Sequence, residues 1–320
     1  MSKPKVLVTR RIPQAGIERV QAFCDVHHWD SDDAIPRPTL LEWVKGMAGI
    51  YCLITERIDP EVLAAAGSDL RVVSTMSVGY DHIDVAACKA RGVAVGHTPG
   101  VLTETTAELA FALMLATARR IPEAAEAVKT GEWSTWKPEW MTGRDVFGST
   151  VGVVGLGRIG AAFARRLSGF NCRILYTDSI PNPKVAESLK ATLVDLDTLL
   201  AESDFVSIHV PLMESTHHLV NAEFLRKMKP TAILINTARG PMVDQEALYQ
   251  ALANGTIAGA GLDVTVPEPL PPSHPLLTLK NCVILPHIAS ASIATRTNMA
   301  LLAADNLIAG LQHQPLPAGV

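Results

Sequence analysis

The chain has 320 residues, of which 48% are hydrophobic, and it carries a formal net charge of −4. This length suits two domains, and this hydrophobic content is typical of packed globular proteins rather than disordered ones. Without a Lys/Arg-rich run, the chain lacks the electrostatic basis for binding nucleic acid or a membrane surface, and its apolar runs are too short or too interrupted to span a bilayer.

The five cysteines are scattered along the chain and form no C-x-x-C motif. They are Cys24, Cys52, Cys88, Cys172 and Cys282. We expect free, mostly buried thiols rather than disulfides, and no metal site. The N-terminus shows no signal-peptide pattern and the C-terminus is not a peroxisomal signal, so the expectation is a protein of the cytoplasm.

The first hundred residues alternate short β-rich runs with helix-like segments. The predicted strands are Val6–Thr9, Ile50–Thr55, Val72–Thr75 and Val93–Val95. The predicted helices run from about Pro13 to Phe23, Pro38 to Gly46, Pro60 to Ala66 and Asp84 to Ala90. This alternation predicts an α/β domain with a parallel sheet.

A long apolar helix is predicted from about Thr105 to Arg120, with Thr105 and Glu108 in the spacing of a capping box. An irregular stretch containing Trp133, Trp136 and Trp140 follows. A second βα series is then predicted, with strands at Val151–Val154, Arg173–Thr177, Phe205–Val210, Ala232–Asn236, Gly259–Val264 and Val283–Leu285. A terminal helix, from about Ser292 to Leu311, is expected to return to the first domain.

A glycine-rich turn opens the second series, directly after its first strand. It reads Gly155, Leu156, Gly157, Arg158, Ile159 and Gly160. Between a strand and a helix this G-x-G-x-x-G spacing is typical of a dinucleotide site, with the pyrophosphate at the helix N-terminus. Asp178 closes the next strand, where its carboxylate accepts hydrogen bonds from ribose hydroxyls and repels a 2′-phosphate. The sequence therefore favours NAD(H) over NADP(H); the bland alternative is a structural βα turn with an incidental aspartate.

Three charged residues follow three other predicted strands: Arg239 after AILIN, Glu268 after AGLDV, and His287 after VILP. In a doubly wound parallel sheet, ligands bind beyond the carboxyl ends of the strands. Arg239 suits the carboxylate of a 2-oxo acid because guanidinium is always charged and binds carboxylate in bidentate fashion. His287 suits proton transfer in either direction. Together they indicate chemistry on a small anionic substrate beside a dinucleotide.

Several motifs resemble the NAD(P)-dependent D-2-hydroxyacid dehydrogenases. They are the glycine turn, Asn236-Thr-Ala-Arg-Gly240, Gly261-Leu-Asp-Val264 with Pro267-Glu-Pro269, and Leu285-Pro-His-Ile288. Three more are similar to the glyoxylate/hydroxypyruvate reductases of that family. They are Ser77-Val-Gly-Tyr-Asp-His-Ile-Asp84, Thr98-Pro-Gly-Val-Leu-Thr103 and Trp136-Lys-Pro-Glu-Trp140. Two positions depart from relatives: Ala289, where glycine is common, and Asp178, where some animal enzymes carry basic residues and prefer NADPH.

The resemblance implies two Rossmann-like domains. The dinucleotide-binding domain, at about 103–286, would be inserted into a discontinuous flavodoxin-like substrate domain of residues 1–102 and 287–320. The substrate would lie between the domains, which would close over it by hinge motion. The implied activity is NAD(P)H-dependent reduction of glyoxylate, hydroxypyruvate or both, to glycolate and D-glycerate, by a homodimer.

The resemblance also implies roles for single residues. Glu268 would pair with His287 and favour its protonated form, and Asp263 would contact the nicotinamide end of the cofactor. Backbone N–H groups of Val78 and Gly79 would bind the substrate carboxylate. Ser290 would line the same site, Pro211 and Thr237 would be cofactor contacts, and Trp140 would sit on a dimerisation arm near the partner's active site.

Blander readings stay open at this point. A glutamate between prolines, such as Glu268, is typical of a solvated loop. Arg239 is compatible with a simple ion pair, and the three tryptophans are compatible with a packing cluster. A non-catalytic, corepressor-like dinucleotide sensor is an alternative function of a different class. Within enzymes, phosphoglycerate dehydrogenase and, more distantly, phosphite dehydrogenase are alternatives.

Overall fold

The computed structural model describes residues 3–320, which divide into two compact units. Unit 1 comprises the chain up to Leu102 together with Ser290–Val320, and unit 2 is Thr103–Ala289. The second boundary therefore lies three residues later than expected, which places His287 in unit 2. Within residues 3–320, none of the helices combines the length and apolar character needed to cross a membrane.

Unit 1 contains a five-stranded sheet in the order β2-β1-β3-β4-β5, with every neighbouring pair parallel. The strands are β1 Lys5–Val8, β2 Asp25–His28, β3 Gly49–Cys52, β4 Val72–Thr75 and β5 Ala94–Gly96. The helices are α1 Gln14–Phe23, α2 Arg37–Trp43, α3 Pro60–Ala66, α4 Val85–Ala90 and α12 Ile293–Leu311. This strand order is the flavodoxin-like one, which confirms the predicted fold of this part.

The elements of unit 1 begin and end where local chemistry requires. Asp59 accepts the Val62 N–H at the start of α3, and Pro60 occupies the first helical turn, where its missing N–H costs nothing. The central strands β3 and β4 are buried throughout, as expected for strands covered on both faces. The terminal helix α12 packs against α1, β3 and β4, which confirms that it returns to the first unit.

Unit 2 contains a seven-stranded, fully parallel sheet in the order β12-β11-β10-β9-β6-β7-β8. The strands are β6 Thr150–Val154, β7 Arg173–Thr177, β8 Ala191–Leu193, β9 Phe205–Ile208, β10 Ile233–Asn236, β11 Gly259–Leu262 and β12 Cys282–Ile284. The helices are α5 Thr103–Ala118, α6 Ile121–Lys129, α7 Arg158–Arg166, α8 Pro183–Leu189, α9 Leu196–Glu202, α10 Ala222–Lys227 and α11 Gln245–Ala253. This is the doubly wound Rossmann order with a seventh strand added beyond β11.

Some sequence-based expectations were wrong. The capping box does not form as predicted, because α5 begins at Thr103 and Thr105 lies inside the helix. The segment after Arg120 was expected to be irregular, but it begins with helix α6. Arg120 has a φ of 54°, which ends α5 and lets α6 start in a new direction. The expectation of free, mostly buried thiols is confirmed, since all five cysteines are free, three of them buried and two partly buried.

Candidate active site

The strand order of unit 2 places the predicted site residues that follow its strands along one edge of the sheet. Because neighbouring strands are parallel, their carboxyl ends lie on the same side. From β12 towards β7 the residues just beyond these ends are His287, then Asp263 and Glu268, Arg239, Pro211, the glycine turn, and Asp178. The edge thus carries a cation, two carboxylates and an imidazole at one end and the glycine turn near the other.

The glycine turn has the geometry that a pyrophosphate requires. Gly155 has a φ of 93°, and a Cβ there would lie 2.7 Å from the side chain of Val210. A Cβ on Gly160 would overlap the carbonyl oxygen of Gly155, so the helix approaches the strand closely only with glycine here. Apart from its own chain neighbours and the backbone of α7, no atom of residues 3–320 lies within 4 Å of a Cβ built on Gly157. Helix α7 then starts without a side-chain cap, which leaves its first N–H groups to bind an anion.

A partly buried histidine lies against this turn, close to Gly155 and Gly160. The His209 ring packs 5.0 Å from the Phe163 ring and bonds the Ser207 hydroxyl over 2.8 Å. Burial lowers the pKa of His209 to about 3, so the ring is neutral at physiological pH. His209 is therefore a packing residue, whereas His287 lies at the open edge.

Asp178 contacts the glycine turn directly. One carboxylate oxygen accepts the Leu156 N–H over 2.7 Å, and the other accepts the Ile180 N–H over 3.0 Å. These bonds fix the carboxylate beside the turn, at the position where an adenosine ribose lies in dinucleotide-binding sheets.

The residues of this edge fit a bound dinucleotide. The Thr237 hydroxyl is buried and has no hydrogen-bond partner within residues 3–320, so it lacks the bond that a buried hydroxyl normally makes. Pro211 is exposed beyond β9, and its carbonyl accepts the Thr216 hydroxyl over 2.7 Å. The open space over Gly157, the uncapped helix and the orphaned hydroxyl together match a phosphate-bearing ligand.

His287 and Glu268 form a hydrogen-bonded pair. Nδ1 of His287 lies 2.8 Å from Oε2 of Glu268, and the two side chains are 26% and 34% exposed. Burial alone would raise the pKa of Glu268, but the His287 hydrogen bond, the Thr265 N–H and the charge of Arg239 lower it below its ordinary value. An ionised carboxylate only accepts, so Nδ1 carries the hydrogen and Nε2 remains for chemistry.

The backbone of His287 is held in a strained conformation. Its φ is 56°, in the left-handed region that non-glycine residues rarely adopt. Three bonds to Asp263 hold it there: His287 N–H to the backbone oxygen over 2.9 Å, and the N–H groups of Ile288 and Ala289 to the two carboxylate oxygens over 2.8 Å each. Asp263 is fully buried, and burial raises its pKa. Strain of this kind collects at functional sites.

Glu268 stands on a loop that is fixed at several points. Its Oε1 accepts the Thr265 N–H over 3.0 Å, and the Thr265 hydroxyl donates to the Pro267 carbonyl over 2.9 Å. The Gln245 amide binds both backbone groups of Val266, accepting its N–H over 2.7 Å and donating to its carbonyl over 2.6 Å. Sequence reasoning missed Gln245, because a glutamine at a helix start carries no signal of a contact made twenty residues away.

Arg239 is presented by a tight turn after β10. The fully buried Asn236 side chain donates to the Arg239 carbonyl and accepts the Ala238 N–H, both over 3.0 Å. A Cβ on Gly240 would overlap the backbone of Thr265, so the arginine turn and the Glu268 loop pack directly on each other. The NH1 group of Arg239 donates to the Ala238 carbonyl over 2.9 Å, which aims the guanidinium. Asn236 was quoted only as part of a motif, and its positioning contacts appear only in the structure.

The remaining candidates lie elsewhere. Val78, Gly79 and Ser290 belong to unit 1. Val78 and Gly79 follow β4 and are partly exposed, and among residues 3–320 their N–H groups donate to no backbone carbonyl. Trp140 does not join the carboxyl edge of unit 2. It lies beside Met141–Arg144, which line a cavity of about 900 Å³ at the amino ends of β10 and β11.

A Rossmann sheet with a phosphate-binding turn and a histidine–glutamate pair at its carboxyl edge defines a nucleotide-dependent oxidoreductase. Residues 111–289 match the model of the D-isomer specific 2-hydroxyacid dehydrogenase, NAD binding domain. The chain is 55% identical to the Mus musculus glyoxylate reductase/hydroxypyruvate reductase over 98% of this chain and 97% of that one. The chain belongs to the D-2-hydroxyacid dehydrogenase family.

Solved structures agree with this assignment. A Thermus thermophilus protein superposes with a TM-score of 0.93 at 46% identity, over 99% of both chains. The NADPH-dependent glyoxylate/hydroxypyruvate reductase of Sinorhizobium meliloti, solved with NADP and malonate, superposes with a TM-score of 0.86 at 36% identity, over 100% of this chain and 97% of that one. The similarity therefore extends over both units.

Proposed function

We propose that this enzyme reduces glyoxylate and hydroxypyruvate to glycolate and D-glycerate with a reduced nicotinamide cofactor. The observation that carries the proposal is the His287–Glu268 pair at 2.8 Å beside the turn of Arg239, in a chain 55% identical to a glyoxylate reductase/hydroxypyruvate reductase. The comparisons give no support to a corepressor-like sensor or to a phosphoglycerate dehydrogenase.

The reduction needs a hydride at the carbonyl carbon and a proton at the carbonyl oxygen. A reduced nicotinamide, when bound at the glycine turn, would supply the hydride with its two electrons. His287 supplies the proton from Nε2, while Nδ1–H stays bonded to Glu268. The Glu268 carboxylate stabilises the ring while it carries the second proton, and Asp263 holds the ring's backbone in place.

The substrate carboxylate is assigned to Arg239 and to the N–H groups of Val78 and Gly79. Guanidinium gives a charged, two-pronged donor, and neighbouring backbone N–H groups give uncharged donors of fixed direction. Ser290, nine-tenths buried at the start of the chain's return to unit 1, is also assigned to substrate binding. These assignments rest on the family resemblance and on the local geometry of each segment.

We assign NADH as the preferred cofactor. The Asp178 carboxylate, fixed by the Leu156 N–H, would accept ribose hydroxyls and repel a 2′-phosphate. In D178N the amide oxygen still accepts the Leu156 N–H while the charge is removed; the NH2 group then faces the N–H of Ile180, an exposed residue whose N–H can bond water instead. We expect the ratio of kcat/KM for NADH over NADPH to fall in D178N by about tenfold, the effect of roughly 1.4 kcal/mol. An unchanged ratio contradicts the assignment.

We also propose a homodimer built on α6 and the segment that follows it. Ile121, Val128, Trp133, Trp136 and Phe147 are between 53% and 79% exposed, an unusual concentration of apolar surface on one part of unit 2. A second copy covering this surface would also bring Trp140 to a neighbouring chain. Light scattering should give twice the mass of 34.3 kDa, and replacing Trp133 and Trp136 with glutamine should shift the mass towards one chain.

The activity itself is tested by turnover with a panel of 2-oxo acids and both reduced cofactors. Glyoxylate and hydroxypyruvate should be the best substrates, with kcat in the usual enzymatic range of about 1–10³ s⁻¹. Binding of NADH without turnover of any 2-oxo acid would instead favour the sensor. Preferential oxidation of 3-phosphoglycerate would favour the phosphoglycerate dehydrogenase.

A further inference from the structure

The turn after β4 in unit 1 has three consecutive carbonyl groups that are each held by a donor. The Ser77 carbonyl accepts the Thr98 N–H over 2.8 Å. The Val78 carbonyl accepts from Nδ1 of His97 over 2.8 Å. The Gly79 carbonyl accepts the Ser77 hydroxyl over 2.7 Å. None of these carbonyls is free to turn towards a ligand.

The direction of the carbonyls fixes the direction of the N–H groups. Within residues 3–320 the only cis peptide bonds are Val266–Pro267 and Glu268–Pro269, so this turn is trans throughout. In a trans peptide the N–H points opposite to the carbonyl of the same unit. The Val78 N–H is therefore aimed away from Thr98, and the Gly79 N–H away from His97. These are the two donors assigned to the substrate carboxylate.

The peptide between Val78 and Gly79 is the one that most needs a lock. Glycine has no Cβ, so the peptide that precedes it rotates at little steric cost. A rotated peptide would present the Val78 carbonyl to an anion in place of the Gly79 N–H. The bond from His97 Nδ1 opposes that rotation, and because a carbonyl only accepts, Nδ1 carries the hydrogen.

His97 is itself firmly placed. Its N–H donates to the Ala318 carbonyl over 3.0 Å, and its carbonyl accepts from the Asn306 side chain over 2.9 Å. Asn306 is fully buried and also accepts the Ala318 N–H over 2.8 Å. The His97 ring meets the Tyr80 ring edge-on, with centroids 5.3 Å apart. The imidazole therefore has a fixed position from which to hold the turn.

A second set of bonds supports the Gly79 carbonyl. The Thr75 hydroxyl lies 2.8 Å from the Ser77 hydroxyl and 3.0 Å from Nε2 of His82. Since the Ser77 hydrogen is used on Gly79, the hydrogen between the hydroxyls comes from Thr75, and Nε2 of His82 donates to Thr75. All donors in this series of bonds thus point towards the turn.

We propose that His97 is a positioning residue for 2-oxo acid binding, which acts by locking the Val78–Gly79 peptide with its N–H towards the substrate carboxylate. This role rests on the proposed keto-acid reduction. It predicts that His97 governs substrate affinity and leaves hydride and proton transfer nearly unchanged.

The test compares H97L and H97F, which lack the donor, with H97N, whose amide nitrogen stands close to the position of Nδ1. H28L is the matched control, because His28 bonds the Arg10 carbonyl over 3.0 Å in the same unit, away from this turn. We expect KM for glyoxylate to rise about tenfold or more in H97L and H97F, the usual size of one lost hydrogen bond to a charged group. H97N and H28L should stay within about twofold of wild type, and kcat and KM for NADH should change little.

Calorimetric binding of oxalate, a non-reducible analogue of glyoxylate, is measured in parallel with NADH present, because it needs no turnover. Wild-type enzyme that binds oxalate without reducing either oxo acid would overturn the proposed function alone. Folded H97L and H97F with wild-type KM and oxalate affinity would overturn the role of His97. The role of His97 would also be overturned if H97N were as impaired as H97L, or if wild-type enzyme did not bind oxalate.

Discussion

The carboxyl edges of the two sheets differ in the kind of group that we assign to the binding of a small anion. In unit 2 the edge presents side chains: a guanidinium, a carboxylate and an imidazole, each beyond its own strand. In unit 1 the turn after β4 presents backbone N–H groups, aimed by the bonds that its carbonyls make to Thr98, His97 and Ser77. Side chains bring charge and transferable protons, whereas backbone groups bring fixed direction without charge.

This difference has a kinetic consequence. Residues that exchange protons with the substrate should control kcat, because they act on the reaction barrier. Residues that aim backbone donors at a carboxylate should control KM, because that contact is made in the ground state and the transition state alike. Substitutions at the two edges should therefore separate in the kinetic parameter that they change.

The largest effect is expected at His287. H287Q removes the group that we propose as the proton donor and keeps a side chain of similar length, so kcat should fall by about 10²–10⁴-fold. NADH binding should persist, as measured by fluorescence titration. H217Q, the same change at an exposed histidine of unit 2, should behave as wild type. A kcat near wild type in H287Q would remove His287 from the mechanism.

The second-largest effect is expected at Arg239. R239A removes the group that we propose as the bidentate partner of the substrate carboxylate, so KM for either oxo acid should rise about a hundredfold, the effect of roughly two charged hydrogen bonds. R239K should recover little of this loss, since lysine is a point charge without the planar fork. R226A provides a control at an exposed arginine of the same unit. Equal kinetics in R239A and wild type would show that the carboxylate binds elsewhere.

A substitution of Asp263 tests whether the backbone around His287 must also be held in place. The two carboxylate oxygens of Asp263 accept the N–H groups of Ile288 and Ala289. In asparagine one oxygen still accepts one of these N–H groups, but the NH2 group faces the other. D263N should therefore lower kcat by about tenfold, the cost of one buried bond, with little change in KM for NADH. D244N is the control, since Asp244 likewise accepts a backbone N–H, that of Ala247, and asparagine caps helices well. A rise in KM for NADH alone would instead support direct contact with the nicotinamide.

The smallest effect is the contribution of Glu268 to stability. Its pKa is lowered in the folded protein, so the ionised form is favoured by folding. That stabilisation is present above the unfolded pKa of about 4.3 and is lost as the pH falls through the lower folded value. The Tm of wild type should exceed that of E268Q at pH 6 by an amount worth less than about 1 kcal/mol, because both partners are partly exposed. The difference should shrink as the pH falls below about 4.3, and a difference that grows on acidification would show that folding raises the pKa of Glu268 rather than lowering it.

Sequence patterns predicted the central parts of the fold well. Strands Val72–Thr75 and Arg173–Thr177 have the predicted bounds, because buried parallel strands are short, apolar and β-branched. The edge strands β2 and β8 were not predicted, since Asp25–His28 and Ala191–Leu193 are partly exposed and lack an apolar run. Tertiary pairing, rather than local composition, decides these strands.

The candidate site likewise has a part that could be predicted from the sequence and a part that could not. Motif spacing and strand ends led to the prediction of His287, Glu268 and Arg239 as site residues, because charged residues after buried strands stand out in a sequence. The φ of 56° at His287 and the bond from His97 to Val78 were not predictable, since neither residue type implies them. Contacts made through the backbone leave almost no trace in the pattern of side chains.

The most direct test of the two-edge account is steady-state kinetics of H287Q, H97L and the double variant with glyoxylate and NADH. The account predicts that H287Q lowers kcat, that H97L raises KM, and that the two changes multiply in the double variant, as expected for groups acting on different steps. It would be contradicted if H97L lowered kcat as H287Q does while leaving KM unchanged.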